Sequence, residues 1–120
     1  MYKDFQELPV WQLAMQIAVE VFSLTEQLPG KEDYGLTSQI RRSSLSISDN
    51  IAEGFGRQHS LDKVKFYVYS RGSAYETKNQ LIYGNKLGYF NEEKISALIT
   101  SLEKIIESLN KLIKTINSKP

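Results

Sequence analysis

The 120-residue sequence contains no cysteine, one histidine, one tryptophan and only three prolines. Without cysteine there is no disulfide, no thiolate nucleophile and no zinc–thiolate site, and a reducing, cytoplasmic compartment is the expectation. One histidine is too few for a catalytic zinc site. It is also too few for the paired Glu-x-x-His motifs of a di-iron bundle, and residue 56, three before His59, is glycine rather than glutamate. No metal and no cofactor is therefore expected. No stretch approaches the roughly 18 apolar residues that a membrane span needs. The opening Met1-Tyr2-Lys3-Asp4-Phe5 lacks the basic and apolar runs of a secretory signal. The chain reads as soluble, without a membrane partner. Gly54-Phe55-Gly56-Arg57 has the look of a phosphate loop, but it follows a helical pattern rather than a strand, which excludes the Walker and dinucleotide motifs.

What is present is ordinary globular material: 41% of residues are hydrophobic, enough for one domain over 1–120 to bury a core unaided. The formal net charge is only +1, so global charge selects no partner, but its distribution is uneven. Residues 1–35 carry two lysines against six acids, whereas 36–90 carry eight lysines and arginines against four acids. That central excess is a candidate surface for nucleic acid or an acidic partner, and equally a solvated face.

Everything between the turn signals has helical spacing, and nothing alternates with period two. The first helix is predicted over Leu8–Leu28, with Pro9 in its first turn and Pro29-Gly30 as its end; Trp11, Ala14, Ala18, Val21, Phe22 and Leu28 make its stripe. A loop over Lys31–Gly35 follows. The second helix carries Leu36, Ile40, Ile47 and Ile51 and stops at Gly54 and Gly56. Ser43, Ser44, Ser46 and Ser48 lie within it. Serine is a mediocre helix former, so the run reads as a crowded seam whose hydroxyls bond back to helix carbonyls. The third helix is predicted from Ser60, as N-cap, to Leu87, with Gly88 as its stop; Val64, Tyr67, Val68, Ala74, Leu81 and Ile82 are assigned to its inner face. Gly72 is predicted to face the serine run, because tight contact would offset its propensity cost of about 1 kcal/mol. The fourth helix starts at Asn91 and bears a long stripe from Ile95 to Ile116. Four helices with short connections predict an all-α, up-down-up-down four-helix bundle. The stripe of the fourth helix and the seven tyrosines exceed what one small bundle buries, which points to oligomerisation.

Two groups of side chains are candidates for function. Asn50, Glu53 and Glu76, with Arg41, Arg42 and Arg71 near the predicted seam, form an interhelical structural polar network, or else belong to a ligand or nucleic-acid site lined by Arg57, Arg71 and Lys78. Arg41, Arg42, Arg57, Lys63, Lys65, Arg71 and Lys78 are the candidate phosphate contacts. His59, between Arg57 and Lys63, offers an acid–base reading, but a lone loop histidine is usually a solvated one.

These residues also carry a resemblance. Tyr34-Gly35-Leu36-Thr37-Ser38-Gln39-Ile40-Arg41-Arg42-Ser43, followed by Ser46-Ile47-Ser48-Asp49-Asn50-Ile51-Ala52-Glu53-Gly54, resembles the signature of the bacterial four helix bundle protein family. Its members include proteins encoded in intervening sequences of 23S ribosomal RNA genes. Gly56-Arg57, Gly72-Ser73-Ala74 with Glu76, Leu87-Gly88-Tyr89, and Val10-Trp11-Gln12 with Ala14 extend the match over nearly the whole chain. The family is similar to the accessory variability protein of diversity-generating retroelements, a pentameric barrel of such bundles that binds nucleic acid and a reverse transcriptase through a basic surface. The resemblance implies a homopentamer with affinity for RNA or DNA. The near-neutral charge departs from that pattern, although a modest patch repeated around an oligomer adds up.

Three readings follow. The leading one is a non-enzymatic, homo-oligomeric, nucleic-acid-associated module. The alternative is a protein-interaction scaffold without nucleic-acid binding, holding a protein partner. The third is an RNA-processing enzyme centred on His59.

Overall fold

The computed structural model describes residues 1–119. It places four α-helices in sequence: α1 (Pro9–Thr25), α2 (Leu36–Gly56), α3 (Ser60–Lys86) and α4 (Glu92–Asn117). Short 3-10 turns precede α1 (Phe5–Glu7) and α2 (Gly30–Glu32), and among the described residues there is no strand. Each helix touches the next, and α1 closes on α4, while the diagonal pairs α1/α3 and α2/α4 do not meet. The result is an up-down-up-down bundle 50 Å long and 20–22 Å across.

One continuous core runs down the middle. Ile17 and Val21 of α1, Ile40, Ile47 and Ile51 of α2, Leu81 of α3, and Leu102, Ile105 and Leu109 of α4 are fully enclosed. The stripe of α4 is spent there: Ile95, Leu98, Leu102, Ile105, Ile106, Leu109 and Ile113 are buried and Ile99, Leu112 and Ile116 half-buried, so it leaves no surplus for oligomerisation. Asn91 caps α4 as expected, its side chain accepting from the Lys94 N–H at 2.9 Å.

Helix ends follow local chemistry. Pro9 opens α1, but α1 stops at Thr25 rather than Leu28, because from Glu26 onward the amides bond three residues back instead of four. His59, not Ser60, is the N-cap of α3 and caps with its backbone alone; Ser60 is the first helical residue. Gly88 ends α3 as predicted, with φ +82° and the paired bonds Tyr89 N–H to Gly84 O and Gly88 N–H to Asn85 O of a Schellman turn. A joint that the sequence did not reveal ties two loops together. The Glu32 carboxylate accepts from the Leu36 N–H, opening α2, and from the Tyr89 hydroxyl 57 residues away. Gly35 makes room for it, since a Cβ there would lie 2.8 Å from Glu32 Oε1. The hydrogen bond to the carboxylate, aided by burial, raises the Tyr89 phenol above its ordinary 10.0.

The α2–α3 contact is the most extensive in the bundle and is built from hydroxyls. Ser43 Oγ lies 2.9 Å from Thr77 Oγ1 and donates to Gln80 Oε1 at 2.6 Å; Ser70 donates to the Ile47 carbonyl at 2.8 Å; Ser73 donates to Ser46 Oγ at 3.0 Å. Ser44 and Ser48 also bond back to carbonyls of their own helix, as the sequence suggested, and Ser43 Oγ lies within 3.3 Å of the Ile40 carbonyl. Small side chains let the two backbones approach, and the hydroxyls satisfy one another at the contact.

The inner face of α3 differs from the prediction. Tyr67, Ser70, Ala74, Thr77, Gln80, Leu81 and Gly84 point inward, whereas Val68 and Ile82 are exposed and Gly72 faces open space, with nothing within 4 Å of where a Cβ would sit. Tyr67/Val68 and Leu81/Ile82 are adjacent pairs only about 100° apart on the helix. Periodicity could not tell which member of each pair faced the core, because the true inner arc is mostly small and polar. The glycines that serve close approach are Gly54, against the Tyr67 ring, and Gly84, against the Phe90 ring.

Candidate nucleic-acid interface

The turn between α2 and α3 gathers three of the seven candidate cations. Arg57 follows the last residue of α2, and Lys63 and Lys65 lie in the first two turns of α3. Lys63 is committed locally: its ammonium donates to the carbonyls of Gly54 and Phe55 at 3.3 and 2.9 Å, closing the C-terminus of α2 where the helix dipole favours a cation. Arg57 reaches back to Glu53 at 3.1 Å, an exposed pair, and its guanidinium sits 4.7 Å above the Phe66 ring. Lys65 is exposed, 6.0 Å from the Tyr69 ring centre, and Phe66 and Tyr69 meet edge to face at 5.8 Å. Cations interleaved with aromatic faces are the materials for binding a phosphate chain with bases stacked beside it. The up-down topology brings the C-terminal turn of α4, with Lys114, to this same end of the bundle; Lys111, one turn earlier, pairs with Glu107 at 3.1 Å.

The other four candidates lie elsewhere. Arg41 is turned onto α1, donating to Thr25 Oγ1 at 2.8 Å and to the Phe22 carbonyl at 3.3 Å, with its guanidinium 3.9 Å above the Phe22 ring. Arg71 donates to Asn110 Oδ1 at 2.8 Å and Lys78 pairs with Glu103 at 3.2 Å, so both link α3 to α4. Arg42 is exposed on α2 and makes no ion pair among the described residues. A single basic stripe over all seven is not what the bundle presents; the corner is the one place where several meet.

Asn50, Glu53 and Glu76 do not form one network. Asn50 donates to the carbonyl and hydroxyl of Ser46 and so joins the hydroxyl seam; Glu53 belongs to Arg57; Glu76 is exposed and makes no side-chain hydrogen bond among the described residues. The separation follows from helical position. Glu76 lies on the outer arc of α3, and Glu53 sits a full turn from the seam. His59 is exposed, and Lys63 beside it is already spent on α2. Among the described residues no three His, Asp or Glu side chains come together as a metal site, and no helix is long and apolar enough to cross a membrane.

The four helices, the hydroxyl seam and the loop-to-loop joint define a small antiparallel four-helix bundle module. A protein of unknown function from the S23 ribosomal protein family of Bacteroides thetaiotaomicron has the same fold: TM-score 0.80, 23% identity, 88% of this chain and 95% of that one covered. Among curated proteins none matches. The chain belongs to the 23S rRNA-intervening sequence protein family, whose model matches residues 6–111.

Proposed function

We propose that the chain is a non-enzymatic, homo-oligomeric module, cytoplasmic and pentameric as the resemblance implies, that binds nucleic acid through the basic corner between α2 and α3. The observation that carries this reading is the corner itself: Arg57 and Lys65 turned outward among Phe66 and Tyr69, at the end of the bundle that also receives Lys114 of α4. The exposed Arg57–Glu53 pair is worth at most about 1 kcal/mol, so phosphate can displace the carboxylate. One such corner is a weak site. Several corners on one assembly bind a single strand together, because each contact after the first is intramolecular. The family's description, which ties its members to 23S rRNA, makes RNA the first probe.

The test is light scattering of the purified protein with and without a short structured RNA, at low and moderate salt. A particle near five times 13.7 kDa that takes up RNA at low salt and releases it at moderate salt is the expected result. RNA uptake that is absent at low salt, or indifferent to salt, would sink the nucleic-acid part. A monomer would sink the oligomer. The second reading, a protein-interaction scaffold, draws support from the commitment of Arg41, Lys63, Arg71 and Lys78 to contacts inside the chain. It expects a co-purifying protein that survives nuclease treatment.

A further inference from the structure

α3 packs into the bundle through a mostly small and polar arc and leaves a row of larger apolar side chains outside it. On the other, Leu61, Val68, Tyr75 and Ile82 recur at intervals of seven and are 83, 37, 54 and 38% exposed. Residues seven apart on an α-helix drift by only about 20° per step, so the four form a ridge that winds by about 60° along nearly the whole helix. Gly72 lies in this ridge with nothing around it. A bare glycine there lets a second helix come close, a benefit the isolated bundle does not draw on. On another side of the molecule Met15, Ala18, Val19, Phe22 and Leu45, with the guanidinium of Arg41, line an apolar groove of about 470 Å³ between α1 and α2.

We infer that the outer ridge of α3 seats in the α1/α2 groove of a second copy of this chain, head to tail; this rests on the homo-oligomer reading and names its interface. Ridge and groove are different surfaces, because α3 does not touch α1 and the groove lies between α1 and α2. Every copy therefore offers both halves of the contact at once. A contact between unlike patches repeats from copy to copy and ends only by closing into a ring. Charge complements shape. Glu76, one turn after Gly72, borders the ridge on its α2 side, and Arg42, one turn before Leu45, lies on the outer face of α2 next to the groove; neither is ion-paired within its own chain among the described residues. Docking brings this carboxylate and guanidinium to the same border.

Area also favours the unlike pairing over a symmetric α3–α3 contact. A 27-residue helix is about 40 Å long, and a contact strip about 10 Å wide offers about 400 Å². Either contact buries about 800 Å² in total, at the small end for a specific interface, but a symmetric pair leaves both grooves in water. In a ring each copy buries its ridge and its groove, so the area covered per chain rises from about 400 to about 800 Å².

The native absence of cysteine makes the test clean. Tyr75→Cys on one full-length chain and Val19→Cys on another are oxidised singly and mixed, with Val68→Cys and Leu45→Cys as a second pair to allow for register. Disulfide-linked dimers in the mixtures and not in the single variants are expected, and the Tyr75→Cys/Val19→Cys double variant should link into a ladder up to the assembly size. Tyr75→Asp and Val19→Asp should each raise the half-assembly concentration at least about 30-fold, with helix content unchanged. Cross-links in Tyr75→Cys alone would show a symmetric α3 contact, and assembly without cross-links would place the interface elsewhere. Either overturns this inference and leaves the oligomer reading standing. A monomeric native chain by light scattering overturns both.

Discussion

Two glycines inside helices, Gly54 and Gly72, invite the same substitution with opposite results. At Gly72 a Cβ meets nothing within 4 Å, so alanine there changes only the backbone term and should stabilise by about 0.8–1 kcal/mol. At Gly54 the same Cβ would lie 2.7, 3.1 and 3.2 Å from three atoms of the Tyr67 ring, which is 3% exposed and hemmed in by the core. The ring must shift, and overpacking costs about 1–3 kcal/mol. Less the propensity gain, Gly54→Ala should lose about 1 kcal/mol net. The two variants are thus separated by about 2 kcal/mol, or about 8 °C in Tm for a chain of this size. Urea denaturation followed by circular dichroism reads the difference as a shift in midpoint at constant slope. A Tyr75→Asp background, at one protein concentration, removes any contribution from assembly. Gly72→Ala that destabilises, or Gly54→Ala that stabilises as much as Gly72→Ala, would refute the assignment of the two faces of α3.

Further outcomes follow from the seam, the phenols and the corner. A double-mutant cycle of Ser43→Ala and Thr77→Val should give a coupling of about 0.5–1.5 kcal/mol, because the two hydroxyls bond each other inside the seam. Burial raises the Tyr67 phenol above 10.0, its unfolded value. The stability this contributes is therefore complete below pH 10 and is lost as pH climbs through the folded value, which alkaline denaturation followed by tyrosinate absorbance should show. In the same titration Glu32→Gln should lower the Tyr89 transition, since the carboxylate is the main cause of its rise. Replacing Arg57 and Lys65 together with alanine should weaken RNA binding to a similar degree across sequences and flatten its salt dependence by up to about two contacts per chain; an unchanged slope would place the phosphate contacts elsewhere.

The four helices were legible because α4, α1 and the caps at Pro9, Asn91 and Gly88 carry strong local signals. The serine run was legible as a seam because serine has no propensity reason to be there in such density. The orientation of α3 was not. Beside Tyr67, Gln80 and Leu81, its inner arc is made of Ser70, Ala74, Thr77 and Gly84, which hydropathy cannot distinguish from surface, while its outer arc carries Leu61, Val68, Tyr75 and Ile82. The same inversion hid the ridge, since Val68 and Ile82 were assigned inward. The seven cations could be named from sequence, but which were spent was a tertiary matter. Arg41, Lys63, Arg71 and Lys78 find partners 16, 8, 39 and 25 residues away. The Glu32–Tyr89 bond joins loops too far apart in sequence for any local pattern to link them.

The antiparallel arrangement has an electrical consequence. α1 and α3 run one way and α2 and α4 the other, so their backbone dipoles largely cancel. Any difference between the two ends of the 50 Å molecule is therefore written in side chains alone. Both ends are of mixed sign: the end with Arg57, Lys63, Lys65 and Lys114 also holds Asp4, Glu7, Glu53, Asp62 and Glu107, and the opposite end sets Lys31, Lys86 and Lys94 beside Glu26, Glu32, Asp33, Glu92 and Glu93. A protein built this way has little end-to-end dipole, so a charged partner would sense individual side chains at close range rather than turn the whole molecule from a distance, and salt confines that range to about 8–10 Å.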